Sequence, residues 1–247
     1  MIKASNLSIK YLYGAQAVTD LCFEVESGKV LAILAEEEGG KTSLLKALAG
    51  LIPCESGSVF LGEKSILNLK PRERNFSLIL ENEGIFRFKT VKKQLELPLK
   101  IRKIPRGERA LAVQDISEKF NITHLLQDIG AQLYEDDKVR LAFARAFIRK
   151  ADCLLLDNPF NNLKANERDR VFHEMLPHIK KAECPVIFAT NLLNEAVFTA
   201  DYIICLNYGI IIQKGTPNEI LNNPSEYVRE TFFQRTMHSA QRTVTDS

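Results

Sequence analysis

Apolar and polar positions alternate near the start of the chain. Leu7, Ile9 and Tyr11 form one series, and Leu21, Phe23 and Val25 a second that runs into a Ser27-Gly28 turn. A period of two puts one face of a strand in a core and the other in solvent, so both stretches are predicted as strands. Val30 to Leu34 is uninterrupted apolar sequence, which predicts a buried strand. The segment Ser43-Leu44-Leu45-Lys46-Ala47-Leu48-Ala49 follows with helical periodicity, and Gly50 and Pro53 terminate it. A Ser56-Gly57 turn then leads into Ser58 to Gly62, and Phe76 to Leu80 is another run of strand length. From Val91 to Ile129 the pattern becomes helical, with Leu111, Val113, Ile116 and Phe120 as the expected buried face, and Pro98, Pro105 and Gly107 as punctuation.

The second half repeats this alternation of element types. Val139 to Ile148 is predicted as a buried helix and Cys153 to Asp157 as a buried strand ending in a carboxylate. A helix from Glu167 to Leu176 presents Val171, Phe172, Met175 and Leu176, and Val186 to Thr190, Tyr202 to Leu206 and Ile210 to Gln213 complete the strands. Strands alternating with helices imply an α/β sheet, with chemistry at the strand C-termini. Arg235 to Ser247 is polar and unpatterned and is expected to fray.

The chemistry concentrates between the Val30–Leu34 strand and the helix after it, in Ala35-Glu36-Glu37-Glu38-Gly39-Gly40-Lys41-Thr42. Strand, tight loop, Gly-Lys-Thr and helix form the layout of a phosphate-binding loop. Backbone N–H groups and a helix N-terminus cradle phosphates, the lysine neutralises them, and the hydroxyl holds Mg²⁺. The end of G-x-x-x-x-G-K-[ST] is intact as Gly40, Lys41 and Thr42, followed by Ser43. Its first glycine is Ala35, and three carboxylates fill the turn.

Composition narrows the setting. The 247 residues are 45% hydrophobic and 26% charged with net charge +2, which gives no electrostatic case for nucleic acid as a partner. No apolar run approaches the roughly 20 residues of a bilayer span, and no secretory segment follows Met1, so a cytosolic location is expected. The five cysteines (Cys22, Cys54, Cys153, Cys184, Cys205) form no C-x-x-C and are expected to be reduced. His173-Glu174 with His178 misses H-E-x-x-H by one residue, so no zinc site is expected there.

The order of these motifs resembles the nucleotide-binding subunits of ATP-binding-cassette (ABC) transporters, from about residue 2 to residue 230. Tyr13-Gly14 stands where that family places an adenine-stacking aromatic. Leu80-Glu81, Ile85-Phe86 and Thr90-Val91 match its Q-loop region. Leu133 to Arg145 matches the signature and its helix, Leu154 to Phe160 the Walker B strand, and Phe188 to Asn191 with Glu195-Ala196 the switch. Gly215-Thr216-Pro217-Asn218-Glu219-Ile220 and Asn223-Pro224 are similar to the endings of importer subunits for sugars and related solutes. The resemblance implies an α/β P-loop NTPase (RecA-like) core sheet with an inserted α-helical subdomain. The core lobe would span 1–81 and 151–230, the helical subdomain 82–150, and a polar tail 231–247. It also implies ATP and Mg²⁺ as ligands, held by Tyr13, Glu38, Gly39, Gly40, Lys41, Thr42 and Ser43, with Thr42 and Asp157 at the metal. The implied partners are permease subunits and a second cassette, as a homodimer or a heterodimer, on the inner face of the membrane. The Phe86 region and Leu97-Pro98-Leu99 are the candidate permease contacts.

The departures from that family fall on the chemistry. The Q-loop glutamine is Glu81, the LSGGQ signature is Leu133-Tyr134-Glu135-Asp136-Asp137, the glutamate after the Walker B aspartate is Asn158, the D-loop aspartate is Lys164, and the switch histidine is Asn191. Hydrolysis needs a carboxylate to polarise water and a group that senses the γ-phosphate. With Asn158 and Asn191 in those places, little turnover is expected. Glu36, Glu37 and Glu38 predict weak or absent nucleotide binding, or acids that pair with Lys41 and seal the loop. The expectation is a degenerate transporter subunit, a pseudo-ATPase. The alternative is a soluble scaffold that pairs with a competent cassette.

Overall fold

The computed structural model describes residues 1–10, 15–81 and 84–233. Tyr11, Tyr13-Gly14 and the Arg235–Ser247 tail lie outside the described residues. Strand β1 (Ile2–Lys10) pairs antiparallel with β2 (Gln16–Val25), and β3 (Val30–Leu34) leads to helix α1 (Lys41–Ala49). There follow β4 (Ser56–Leu61), β5 (Lys64–Ser65), the single turn α2 (Pro71–Arg74) and β6 (Phe76–Ile79). Helices α3 (Val91–Ile101), α4 (Arg106–Lys119) and α5 (Glu135–Phe147) intervene before β7 (Cys153–Asp157). The chain continues through α6 (Ala165–Lys180), β8 (Val186–Thr190), α7 (Leu193–Thr199), β9 (Tyr202–Asn207), β10 (Ile210–Gly215) and α8 (Pro217–Asn222).

The strands make two sheets. One is four-stranded and antiparallel, in the order β2-β1-β4-β5; the other is six-stranded, in the order β10-β9-β3-β8-β7-β6, and parallel except for β10. The parallel strands are apolar throughout because both of their faces are covered. Val30, Ala32 and Leu34 point into one hydrophobic cluster together with residues of α3 to α7, while Leu31, Ile33 and Ala35 point into the other, against α1 and the antiparallel sheet. Leu154 and Leu156 against Cys153 and Leu155, and Val186 and Phe188 against Ile187 and Ala189, divide the same way. This sandwich holds the C-terminal ends of β3, β7 and β8 side by side, with Ala35, Asn158 and Asn191 just beyond them.

Three expectations are corrected. Leu111 is 69% exposed whereas Val113, Ile116 and Phe120 are buried, because Leu111 lies about 200° around the helix from Val113, outside their i, i+3, i+7 row. Gly57 belongs to β4 and not to a turn before it. Its φ of 98° coincides with a register shift between β1 and β4, and a Cβ there would meet Asn6 O at 2.5 Å, so the glycine serves a bulge. Phe232, beyond residue 230, is buried in the cluster that α3 to α7 share.

Arg74 ties α1 to the loop between β5 and α2. Its guanidinium donates to Ala47 O and Leu48 O at 2.8 and 2.7 Å, and to Leu67 O and Leu69 O at 2.8 and 3.0 Å. A buried cation thereby meets carbonyls at the C-terminus of α1, where the helix dipole is negative. Burial still pushes its pKa below the ordinary arginine range.

Candidate functional site: a phosphate-loop cavity lined with acid

The loop between β3 and α1 makes one wall of a cavity of about 640 Å³, lined by Glu37, Glu38, Gly39, Gly40, Lys41, Thr42, Ser43, Lys46, Glu81 and Asn158, with Lys10 and Ile52 to Glu55 at its far side. Two glycines set the turn. Gly40 has φ 91° and a Cβ there would meet Ala17 O at 2.2 Å; at Gly39 a Cβ would meet Ala35 Cβ at 2.6 Å. Glu38 is left-handed too, with φ 61°, a conformation that costs a residue with a Cβ but not a glycine. The N-terminus of α1 has no side-chain cap and no acid in its first turn, so its amides face the cavity as an anion cradle.

Lys41 is buried, and its ammonium donates to the carbonyls of Ala35 at 2.7 Å and Glu36 at 2.5 Å. Among the described residues the hydrogen-bond partners of the ammonium are backbone oxygens, and Glu36 and Glu37 act on it through Coulombic attraction. Burial pushes its pKa below the ordinary lysine range against the pull of Asp157, Glu37, Glu81 and Glu36. Thr42 donates its hydroxyl proton to Asp157 Oδ2 at 2.7 Å. Burial pushes the Asp157 carboxyl up, an effect partly opposed by that hydrogen bond and by Lys41. Both shifts favour the neutral forms, so desolvation outweighs the attraction between the two groups.

Two oxygens stand out. Asp157 Oδ1 and Asn158 Oδ1 are buried and have no hydrogen-bond partner among the described residues. Asn158 sits at φ 43°, its N–H bonded to Ala189 O at 2.9 Å, which fixes its backbone at the end of β7. Glu81 Oε1 accepts from Asn161 Nδ2 and its carbonyl from Asn162 Nδ2, both at 2.7 Å, so the loop after β7 is laced to the end of β6. Asn191 is half-buried just past β8 but does not line the cavity. Beside it Thr190 donates to buried Glu195, whose carboxyl is pushed up by burial. Lys46, which shares a face of α1 with Thr42 at i+4, was not singled out from the sequence although that spacing is legible. The Lys10–Glu55 pair, also on the cavity lining, joins residues 45 positions apart in sequence and left no local signal.

The acids of the signature stretch stand in the first turn of α5. Leu133 is buried, Tyr134 is 80% exposed, and α5 begins at Glu135. Arg140 bonds Asp136 and Asp137 at 3.0 and 2.8 Å and grips Glu174 of α6 from two nitrogens, while Arg170 takes Asp136 at 2.8 Å. Burial raises the Asp136 and Glu174 carboxyls, yet the arginines more than offset it and hold both below their ordinary values. Arg145, further along α5, donates to Gly84 O at 2.8 Å and lies 5.2 Å from the Phe86 ring. Phe86 and Phe88 are exposed, Leu97 and Pro98 half-buried, and Leu99 is in the core and therefore not available as a surface contact.

An uncapped helix N-terminus behind a Gly-Lys-Thr turn at the end of a parallel strand, with Asp157 on the threonine, defines a P-loop nucleotide-binding cassette. Residues 18–161, more than half of the chain, match the ABC transporter family, and the chain belongs to it. Its relatives include import ATP-binding proteins. It is 30% identical over 93% of its length to the sn-glycerol-3-phosphate import ATP-binding protein UgpC of Psychromonas ingrahamii, covering 61% of that protein. The figures are 32%, 91% and 64% for the molybdate/tungstate import ATP-binding protein WtpC of Pyrococcus horikoshii. For the spermidine/putrescine import ATP-binding protein PotA of Thermotoga maritima they are 31%, 95% and 64%. The chain thus spans less than two thirds of the length of these relatives. CbiO1 of Clostridium perfringens, part of the ABC transporter complex CbiONQ, superposes with a TM-score of 0.80 at 20% identity over 97% of this chain and 98% of that one. The cassette MJ0796, solved as a dimer bound to ADP and Pi, gives 0.75 at 19% identity over 88% and 99%. The family resemblance and the fold class expected from the sequence are both borne out.

The family implies ATP and Mg²⁺. The residues present suit the ion: a threonine hydroxyl already oriented by Asp157, and a buried carboxylate oxygen with no donor among the described residues, are hard oxygen ligands. The glycine turn and free amides suit phosphate, and the glutamates of the loop oppose it.

Proposed function

We propose that this chain is the ATP-binding subunit of an ABC importer for a small solute, seated on permease subunits at the inner face of the membrane, and that it binds nucleotide weakly and hydrolyses it poorly. The importer reading rests on the relatives' shared description as import ATP-binding proteins. One observation carries the catalytic reading. The residue after Asp157, at the end of a buried strand and on the cavity wall, is Asn158, whose side-chain oxygen is buried with no donor among the described residues. An amide oxygen there accepts a hydrogen bond from water but cannot take its proton.

In this reading Lys41, Thr42 and the amides of α1 hold the phosphates, Thr42 and Asp157 hold Mg²⁺, and Tyr13 stacks on the base. The metal would neutralise charge on the phosphates when bound. Glu37 and Glu38 set an unfavourable potential for a polyanion in the same cavity. The lobe from residue 82 to 150 docks the permease through exposed Phe86 and Phe88 and half-exposed Leu97 and Pro98. Pairing follows the head-to-tail plan in which one chain's phosphate loop faces the other's signature. With a competent partner, defects then fall in both composite sites, because this chain brings Asn158 to one and Tyr134-Glu135-Asp136-Asp137 to the other.

The test is co-expression with an intact cassette partner and the permease, followed by replacement of Tyr134, Glu135, Asp136 and Asp137 by Ser, Gly, Gly and Gln. Turnover should rise, and the rise should vanish when the partner's own catalytic glutamate is removed. If the heteromer forms and turnover does not change, the composite-site reading fails and a scaffold role takes its place.

A further inference from the structure

The loop before α3 and the first turn of that helix carry a charged and aromatic surface that nucleotide chemistry does not use. From Gly84 to Leu95 the sequence is Gly-Ile-Phe-Arg-Phe-Lys-Thr-Val-Lys-Lys-Gln-Leu, with four cations and no acid. Arg87, Lys89, Lys92 and Lys93 are all exposed, and none makes an ion pair among the described residues. Glu96, the one acid of α3, is taken by Lys100 at 2.6 Å. Lys92 and Lys93 stand in a first turn without acid, where the positive end of the helix dipole opposes them. Phe88 is 88% exposed, and Lys89 Nζ lies 4.6 Å from the centre of the exposed Phe86 ring. Aromatic rings among unpaired cations suit a membrane–water interface.

The turn is held from behind. Gln94 is fully buried, accepts from Phe86 N–H at 3.0 Å, and donates from Nε2 to Phe86 O and Lys89 O at 3.1 and 3.0 Å. The N–H groups of Gly130 and Ala131 donate to Lys89 O and Arg87 O at 3.1 and 2.9 Å. All of these bonds engage the backbone of the turn, so its shape is set before any surface meets it and little ordering is needed on contact. We infer that this turn and the start of α3 bind the anionic headgroups of a bilayer, with Arg87, Lys89, Lys92 and Lys93 on the phosphates and Phe88 among the headgroups. The charge here is of one sign and unanswered, and an anionic leaflet presents the opposite sign across a surface. In the importer reading Phe86 and Phe88 face a permease, and the cations around them reach the lipid beside it. The lipid contact does not depend on that reading, because a bilayer without permease offers the same headgroups.

The test is flotation of the full chain, free of permease, with vesicles of phosphatidylcholine alone or with phosphatidylglycerol as about a third of the lipid. Binding is expected to the anionic vesicles only, and it should fall as salt rises. One cation near such a surface contributes about fivefold in partition, so Lys92→Gln with Lys93→Gln should weaken binding about twentyfold. Lys150→Gln with Lys181→Gln removes the same charge at a separate cavity, lined by Leu154 and Cys184, and should change binding less than about twofold. Phe88→Ser should weaken binding without altering its salt dependence. All of these positions are exposed, so the variants are expected to fold, and circular dichroism checks that they do. No binding to anionic vesicles, or equal losses in the two lysine pairs, overturns the lipid contact. So does a chain that ignores vesicles but loses co-purification with a permease when Lys92 and Lys93 are changed, since the cations then serve a protein surface. The vesicles contain no protein, so the lipid contact and the importer reading fail separately.

Discussion

Removing the Arg140 guanidinium tests the reading of the signature as an internally neutralised segment. Arg140→Met keeps most of the apolar stem and deletes the cation. The arginine side chain is 9% exposed, and its partners Asp136, Asp137 and Glu174 are 20%, 15% and 24% exposed. At a separation near 3 Å and an effective dielectric of about 20, each pair has a gross attraction of about 5 kcal/mol, most of which desolvation cancels. Breaking a buried pair costs about 3–5 kcal/mol, and the partial exposure of the acids reduces this to roughly 2–4 kcal/mol. The loss should also depend on pH with a definite sign. The Asp136 and Glu174 carboxyls are depressed in the folded state, so their contribution is complete above their unfolded values of about 4 and is lost as pH falls through the lower folded values. Urea unfolding at neutral pH should show the full penalty, and the gap between variant and native protein should narrow below pH about 4. A penalty under about 1 kcal/mol, or one constant with pH, would refute the network.

Two further outcomes follow from the loop. Gly40→Ala should cost more than about 2 kcal/mol in the same unfolding assay, because the new Cβ meets Ala17 O at 2.2 Å in a left-handed backbone; a neutral substitution would mean that the turn relaxes freely. Neutralising Glu36, Glu37 and Glu38 to glutamine should tighten Mg-ATP by about tenfold or more in calorimetry, and unchanged micromolar affinity would show that the carboxylates point away from the phosphates.

Much of the fold was legible because its strands are short and buried on both faces. Val30–Leu34, Cys153–Asp157 and Val186–Thr190 have the predicted limits to the residue. Helix ends were less legible. α5 starts at Glu135, four residues before the apolar run, where the acids suit the positive end of the helix dipole. Leu111 misled because hydrophobicity was read without its angle around the helix. At the site, Lys41, Thr42, Glu81 and Asn158 meet as their motif order implied, whereas the engagement of Asp136 and Asp137 by Arg140 depends on Glu174, 34 residues away, to complete it. The anchoring of Lys41 on Ala35 O and Glu36 O was equally hidden, since backbone acceptors leave no trace in side-chain identity.

The central claim, that this cassette keeps the scaffold of an ATPase and has lost its catalytic base, is tested most directly by steady-state Mg-ATP turnover of the purified full chain, native and Asn158→Glu. Both should read at background, the variant because Glu38, the acidic signature and Asn191 remain. Native turnover on the order of 1 per second, within the ordinary range for enzymes, would contradict it.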